Sequence, residues 1–225
     1  VLTENMTFTK LGKLLDVFRG LISEETLPYD GVIVAHGTDT LAYSSSLLAL
    51  LLTGFSLPVM IVSSNYTLDR PEANGLANFT AAAELIKKGF GKGVYVPYRN
   101  SDGLTYLHRG ARLEQCRNYT SDFFSRGMTP YDRAVPYETF VDYPPLSALE
   151  KLECCVMKVE PYVGLDYSMI EPDDGIRAVL HGSYHSATAC VERSEPDEPY
   201  TKYSALTLLD KCRAKDIDFW LGGMP

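Results

Sequence analysis

Two hydroxyl side chains and a carboxylate follow a short apolar segment near the start of the sequence. Residues 32–35 are apolar without alternation, which is typical of a strand buried on both faces of a parallel sheet. Thr38, Asp39 and Thr40 come next and precede an apolar segment, 41–52, that we expect to be a helix. Such a junction between strand and helix is where open α/β sheets bind ligands. A threonine or aspartate there can equally be a helix cap, its side-chain oxygen accepting a backbone N–H.

The flanking sequence predicts the elements that hold this junction. Helix-like and strand-like apolar segments alternate: a helix over 8–22, strands over 59–62 and 93–98, a helix over 76–88 and a hairpin partner over 104–113. Thr7 or Thr9 is placed to cap the first helix. This alternation predicts an α/β fold built on a doubly wound sheet.

The second half of the chain predicts a smaller α/β domain. Four prolines between 130 and 149, with little periodicity, indicate a linker. After it come a strand over 154–159, a strand over 175–182, a helix over 203–214 and a strand starting at 218. We therefore expect a larger N-terminal domain over 1–135, a linker over 136–152 and a C-terminal domain over 153–225, with both domains incomplete.

Composition limits the classes of function. With 225 residues and a net charge of −8, the chain is long enough for a sizeable core and lacks the basic balance of a nucleic-acid binder. We expect no direct nucleic-acid binding, no membrane segment and a cytoplasmic protein. The cysteines are odd in number and lack C-x-x-C spacing, which favours buried reduced thiols over a disulfide or zinc framework: Cys116, Cys154, Cys155, Cys190 and Cys212.

Residues 36–40 read His-Gly-Thr-Asp-Thr and resemble the signature of the L-asparaginase family of asparaginase/glutaminase-type amidohydrolases. Neighbouring segments resemble the family in order and spacing: 3–6, 58–64, 69–71, 74–78, 109–125, 158–166 and 181–182. The resemblance covers nearly the whole chain.

The resemblance implies hydrolysis of L-asparagine to L-aspartate and ammonia through a threonine acyl-enzyme, without a cofactor. A threonine hydroxyl is a weak nucleophile until a neighbouring group takes its proton. By family analogy Thr38 belongs to a Thr-Lys-Asp set, and Asp39 pairs with the substrate's α-ammonium group. The substrate-binding positions that the resemblance assigns are Thr3, Glu4, His36 and Gly37. From its place at a strand end, His36 is expected to be a hydrogen-bonded residue rather than a base.

The chain departs from the family pattern at the lysine position. Alignment places Gln115 there, and an amide side chain cannot act as an acid or a base. The family's other catalytic threonine lies in a Thr-Gly-Gly-Thr loop upstream of every match, so we expect a fragment truncated at both ends. Little or no turnover is expected of this chain by itself.

Two alternatives to a free-standing amidohydrolase follow. One is a non-catalytic member of the same fold that binds an amino acid or a partner. The other is the asparaginase-like subunit of a tRNA-dependent amidotransferase. The resemblance also implies a homodimer or homotetramer acting on a small amino-acid amide.

Other polar residues have structural explanations. His181 and His185 are four residues apart but separated by a glycine, so they do not share a helix face, and no metal site is expected. Asp69, Arg70 and Glu72 are expected to form an ion network in a loop, with lining of the site as the alternative.

Overall fold

A computed structural model describes residues 3–24, 26–136, 146, 149, 152–153 and 155–222. The chain folds into two compact units, Val1–Leu152 and Glu153–Pro225. Most of the predicted linker over 136–152 lies outside the described residues, as does Cys154.

The larger unit is built on a five-stranded sheet. Its helices are α1 (Phe8–Ile22), α2 (Leu41–Leu51) and α3 (Gly75–Lys87). Its strands are β1 (Val32–Ala35), β2 (Pro58–Val62), β3 (Gly93–Arg99), β4 (Thr105–Arg109) and β5 (Thr129–Pro130), in that spatial order. The first three strands are parallel and the last two pair antiparallel. The α/β class and the predicted helices and strands are confirmed.

Helices cover both faces of this sheet, as a doubly wound fold requires. Leu15 and Phe18 of α1 and Leu48 of α2 pack in one cluster with alternate residues of β3. Leu85 of α3 packs on the opposite face, in the cluster that contains Tyr95. The alternation along β3 thus sends side chains into two separate cores, which fixes its register.

The prediction that β1 is buried on both faces is wrong. Val32, Ile33 and Val34 are half-buried and Ala35 is exposed, whereas every residue of β2 is buried. Among the described strands β1 lies at the edge of the sheet and pairs only with β2. A run of apolar residues indicates that a strand is hydrophobic but does not indicate its position in the sheet. It therefore could not distinguish an edge strand from a central strand.

The smaller unit contains a three-stranded parallel sheet and one helix in its described part. Its elements are β6 (Val156–Val159), β7 (Ala178–His181), α4 (Ala205–Ala214) and β8 (Asp218–Leu221), with β7 central. Ser204 caps α4 by accepting the Leu206 N–H.

The four described cysteines are free thiols: Cys116, Cys155, Cys190 and Cys212. Of these four, Cys212 is fully buried and the other three are half-buried. The expectation of buried thiols is therefore correct only for Cys212.

None of the helices in the described part of the chain combines the length and the apolar character that a membrane crossing demands.

His108 of β4 makes the larger unit sensitive to acid. Its ring is fully buried, Nδ1 bonds the Ser125 hydroxyl at 2.8 Å, and Nε2 has no partner among the described atoms. Burial lowers its pKa to about 4, so the folded state holds the neutral ring.

We expect the stability that depends on neutral His108 to be complete above its unfolded pKa of about 6.5 and to be lost as pH falls towards 4. The free energy of unfolding falls by about 3 kcal/mol, because the pKa of His108 drops from 6.5 to about 4 on folding and each pKa unit corresponds to about 1.4 kcal/mol. Urea unfolding at several pH values measures it. His108→Asn keeps a polar side chain near Ser125 that does not titrate in this pH range, so the free energy of unfolding of the variant should fall less as pH is lowered. Equal slopes of unfolding free energy against pH in the variant and the unmodified protein would contradict this assignment.

Candidate amino-acid site

Residues 36–40, here called the signature segment, join β1 to α2 at the carboxyl edge of the sheet. The His36 N–H donates to the Val62 carbonyl at the end of β2, which continues the parallel pairing one residue past β1. The segment therefore leaves the sheet beside the end of the next strand. That edge is the usual ligand-binding edge of an open α/β sheet.

Thr3 is held against the signature segment by two hydrogen bonds. Its hydroxyl donates to Asp39 Oδ2 at 3.2 Å, and the Thr40 hydroxyl donates to the Thr3 carbonyl at 3.0 Å. Thr3 is buried, although 36 residues separate it from Asp39. The structure thus brings together two residues that the sequence could pair only through the family resemblance.

The N-cap residue of α2 makes no side-chain capping bond, unlike the helix cap considered from the sequence. Thr40 is the N-cap residue of α2, but its side chain makes no capping bond and instead bonds Thr3. The first turn closes through the backbone, where the Leu41 N–H donates to the Thr38 carbonyl at 3.3 Å. The Thr38 hydroxyl has no hydrogen-bond partner in the described part of the chain and remains available to a ligand.

Gly37 leaves room for Thr3. A Cβ atom at position 37 would collide with the Thr3 side chain, and Gly37 does not need positive φ. The requirement for glycine here is therefore the close approach of another side chain rather than backbone conformation.

We expect Gly37→Ala to displace Thr3 and weaken binding of L-aspartate about fivefold, the effect of one lost hydrogen bond worth about 1 kcal/mol. Isothermal titration of the full-length protein measures the change. Gly54→Ala is the matched control, because a Cβ there meets nothing within 4 Å. An unchanged affinity in Gly37→Ala would show that Thr3 does not contribute to binding.

Gln115 contacts the signature segment from the chain that follows β4. Its Nε2 donates to the Asp39 carbonyl at 2.6 Å. A carbonyl can only accept, so this bond fixes the orientation of the amide and leaves Oε1 as an acceptor. The position at which the resemblance predicts lysine does lie beside the signature segment, and it carries no charge.

Both ring nitrogens of His36 lie within hydrogen-bond distance of a partner, as expected from its place at a strand end. Its Nδ1 lies 2.7 Å from the Gly37 carbonyl and its Nε2 lies 2.9 Å from the Ser44 hydroxyl. Desolvation lowers its pKa, more than the bond to Gly37 raises it, so the neutral ring is favoured. Nδ1–H then donates to the carbonyl and Nε2 accepts from Ser44, which ties the segment to α2.

Glu4 is exposed in a 3-10 turn, Thr3–Asn5. Lys10 holds this turn by donating from Nζ to the Asn5 carbonyl at 2.6 Å. The Glu4 carboxylate has no hydrogen bond or ion pair to any described residue.

The predicted ion network in the loop after β2 is not formed. Arg70 lies over the Tyr66 ring at 5.3 Å, and Asp69 accepts a hydrogen bond from Thr67 that lowers its pKa. Neither Asp69, Arg70 nor Glu72 has an ion pair within the described ranges. The three side chains are exposed to water, where pairing gains little.

The two remaining histidines do not form a site together. His181 is buried between the Tyr167 and Phe219 rings and its Nε2 lies 2.8 Å from the Tyr167 hydroxyl, whereas His185 is exposed. No group of three potential metal ligands occurs among the residues that the structure describes.

Two contacts of the site do not follow from the sequence pattern. Residue type and position predict a capping bond for Thr40, and nothing in the pattern points to Ser44. Ser44 lies eight residues after His36, but its contact depends on where α2 turns, which spacing alone does not give.

Comparison with known proteins identifies the family of the chain. The family model described as Asparaginase, N-terminal matches residues 1–143, so the chain belongs to the asparaginase family. Among solved structures it is similar to the thermostable L-asparaginase from Thermococcus kodakarensis, with a TM-score of 0.70, 18% identity and coverage of 99% of this chain and 65% of that one. L-asparaginase I from Vibrio cholerae has a TM-score of 0.61 and 20% identity over 95% of this chain and 61% of its own.

The curated relatives carry a different name. A glutamyl-tRNA(Gln) amidotransferase subunit from Thermoplasma acidophilum is 35% identical over 127 residues, 54% of this chain and 31% of the relative. The protein of the same name from Methanosarcina barkeri is 28% identical over 198 residues, 81% of this chain and 46% of the relative. The chain therefore spans less than half the length of these relatives.

Proposed function

We propose that the protein containing this chain hydrolyses the side-chain amide of L-asparagine to L-aspartate and ammonia through an acyl-enzyme on threonine. The observation that carries the proposal is the convergence of Thr3 and Gln115, from two separate parts of the chain, on Asp39 of the signature segment. In this proposal the chain holds the amino-acid half of the site.

Asp39 and Glu4 are the groups that receive the substrate's α-ammonium. Both carboxylates are exposed, and Asp39 is oriented by Thr3. A charge-assisted hydrogen bond from an ammonium is shorter and stronger than a neutral one. The Thr38 hydroxyl, with no partner among the described residues, faces the same ligand and attacks or relays to the amide.

Gln115 slows the reaction in this proposal. The threonine must lose its proton as it attacks, and a lysine at position 115 would draw that proton. A glutamine amide neither accepts it at neutral pH nor returns it to the leaving ammonia. We therefore propose that Gln115 impairs turnover but leaves the binding of the amino acid intact.

A second candidate is a subunit of glutamyl-tRNA(Gln) amidotransferase, favoured by the relatives that carry this name. Transfer of an amide nitrogen requires its release from a donor amide, so both candidates share one chemical step. They differ in the partner: a second copy of this chain in a homodimer or homotetramer, or the other subunits of an amidotransferase. Because the chain has a net charge of −8, in this proposal the other subunits make the contacts with tRNA.

Ammonia release from L-asparagine and L-glutamine, measured on the full-length protein, tests both candidates. Release from free amino acid alone supports the amidohydrolase. Release only when amidotransferase subunits and glutamyl-tRNA(Gln) are added supports the second candidate. No release under either condition, with L-aspartate still bound, would reject both and leave a non-catalytic binding protein.

A further inference from the structure

A polar pocket of about 610 Å³ lies in the larger unit and does not include the signature segment. It is formed by the loop that follows β2, the end of β3 and the segment 119–122. The candidate amino-acid site therefore does not account for it.

Reciprocal side-chain bonds hold the first wall in place. The Asn65 N–H donates to Asn74 Oδ1 and the Asn74 N–H donates to Asn65 Oδ1, both at 2.9 Å. Asn74 Nδ2 then donates to the Arg99 carbonyl at 2.7 Å, which ties the loop to the end of β3. Asn74 is buried, so these bonds are protected from water and the wall is formed before any ligand arrives.

The second wall is fixed in a similar way. Asp122 accepts the Ser101 N–H on Oδ1 at 2.7 Å and the Ser101 hydroxyl on Oδ2 at 2.6 Å. The Tyr98 hydroxyl donates to the Ser121 carbonyl at 2.9 Å. Both oxygens of Asp122 are therefore engaged, and this carboxylate serves the wall rather than a ligand.

Two charges in the pocket remain without a partner among the described residues. Arg99 and Glu72 both line it, both are exposed, and neither forms an ion pair with a described residue. Elsewhere on the same unit an exposed arginine pairs with its neighbour, as Arg117 does with Glu114 at 2.7 Å. The Asp122 carboxylate adds a second negative charge to the lining, but its oxygens are held by the neutral donors of Ser101. The guanidinium of Arg99 and the carboxylate of Glu72 therefore stay free to contact a ligand that carries both charges.

Tyrosines provide the apolar surface of the pocket. Tyr66 is partly covered by Arg70, while Tyr119 is fully exposed. Tyr119 has a φ of 64°, in the left-handed region that costs a bulky residue about 1–2 kcal/mol. Backbone strain of this kind clusters at ligand clamps and active sites.

We propose that this pocket binds a free α-amino acid in its zwitterionic form. The guanidinium of Arg99 takes the carboxylate, with the planar fork that suits bidentate pairing, and Glu72 takes the ammonium. The side chain of the ligand packs on the Tyr119 ring. The proposal is independent of any reaction at the signature segment.

The two sites share one connecting segment. Gln115 at its start bonds the Asp39 carbonyl, and Asp122 at its end bonds Ser101 in the pocket wall. The chain between them also carries Tyr119. A ligand in the pocket therefore contacts the same segment that places Gln115 in the first site.

Isothermal titration with L-asparagine tests the proposal in full-length protein carrying both Asp39→Asn and Glu4→Gln, which remove the two ammonium partners of the first site. We expect one remaining site, with affinity lowered at least tenfold by Arg99→Gln and by Glu72→Gln, since a hydrogen bond to a charged group is worth about 1.5–3 kcal/mol. Arg126→Gln is the matched control, because Arg126 is exposed and does not line the pocket.

Acetate and methylammonium, which carry one charge each, complete the test. We expect both to bind at least tenfold more weakly than L-asparagine, since each replaces only one of the two charged contacts. Equal binding of acetate, or an unchanged affinity in Arg99→Gln, would overturn the proposal. Arg99→Lys retains the charge but not the fork, so it should bind better than Arg99→Gln. Matching thermal midpoints exclude loss of folding as the cause.

Discussion

Gln115→Lys is expected to raise ammonia release from L-asparagine by about 10²-fold or more in the full-length protein, the usual range of a positioned acid or base. Position 115 already contacts the signature segment through the bond to the Asp39 carbonyl. In the proposed mechanism a lysine there takes the proton of the Thr38 hydroxyl. Steady-state ammonia assays measure the gain.

Gln115→Arg separates proton transfer from charge. Arginine adds the same positive charge but stays protonated in proteins, so it cannot act as the base. We expect little or no gain from Gln115→Arg. A gain equal to that of lysine would mean that position 115 acts by attracting the substrate, and no gain from lysine would reject its assignment as the missing catalytic position.

Thr38→Ala is expected to remove amide hydrolysis, most visibly in the Gln115→Lys background. Loss of a residue that attacks the amide or relays its proton, as proposed for Thr38, lowers kcat by about 10³-fold or more. The Thr38 hydroxyl is free of hydrogen bonds to described residues, so its removal costs the fold little. Ammonia release in the double variant should fall by at least that factor relative to Gln115→Lys alone.

Thr38→Ser and Thr40→Ala are the controls for that variant. Thr38→Ser keeps the hydroxyl and should retain part of the rate. Thr40→Ala removes the hydroxyl that bonds the Thr3 carbonyl, so it should weaken L-aspartate binding while the acyl chemistry persists. An unchanged rate in Thr38→Ala would contradict the catalytic role proposed for Thr38.

Local elements were predictable because their causes are local. Residue type and spacing left Thr7 and Thr9 as possible N-caps of α1, and the structure shows Thr7. The start of β8 at Asp218 is as predicted. The family resemblance predicted that position 115 lies near the signature segment, and the Gln115 bond to Asp39 agrees.

Contacts between distant segments were not predictable from spacing. The sequence left helix capping by a threonine or aspartate as an alternative, but Thr40 makes no capping bond because its hydroxyl bonds Thr3, 37 residues away. The predicted burial of β1 is wrong because its place at the edge depends on strand order. The polar pocket has no sequence signal, since Arg99 and Glu72 belong to different elements and share no motif.

A crystal structure of the full-length protein with bound L-aspartate tests the proposed amino-acid site. We expect the α-ammonium of the ligand to lie within hydrogen-bond distance of the Asp39 carboxylate, with the side-chain carboxyl facing the Thr38 hydroxyl and Thr3 beside the ligand. L-Aspartate bound elsewhere, with Thr38 and Asp39 contacting only protein, would contradict it.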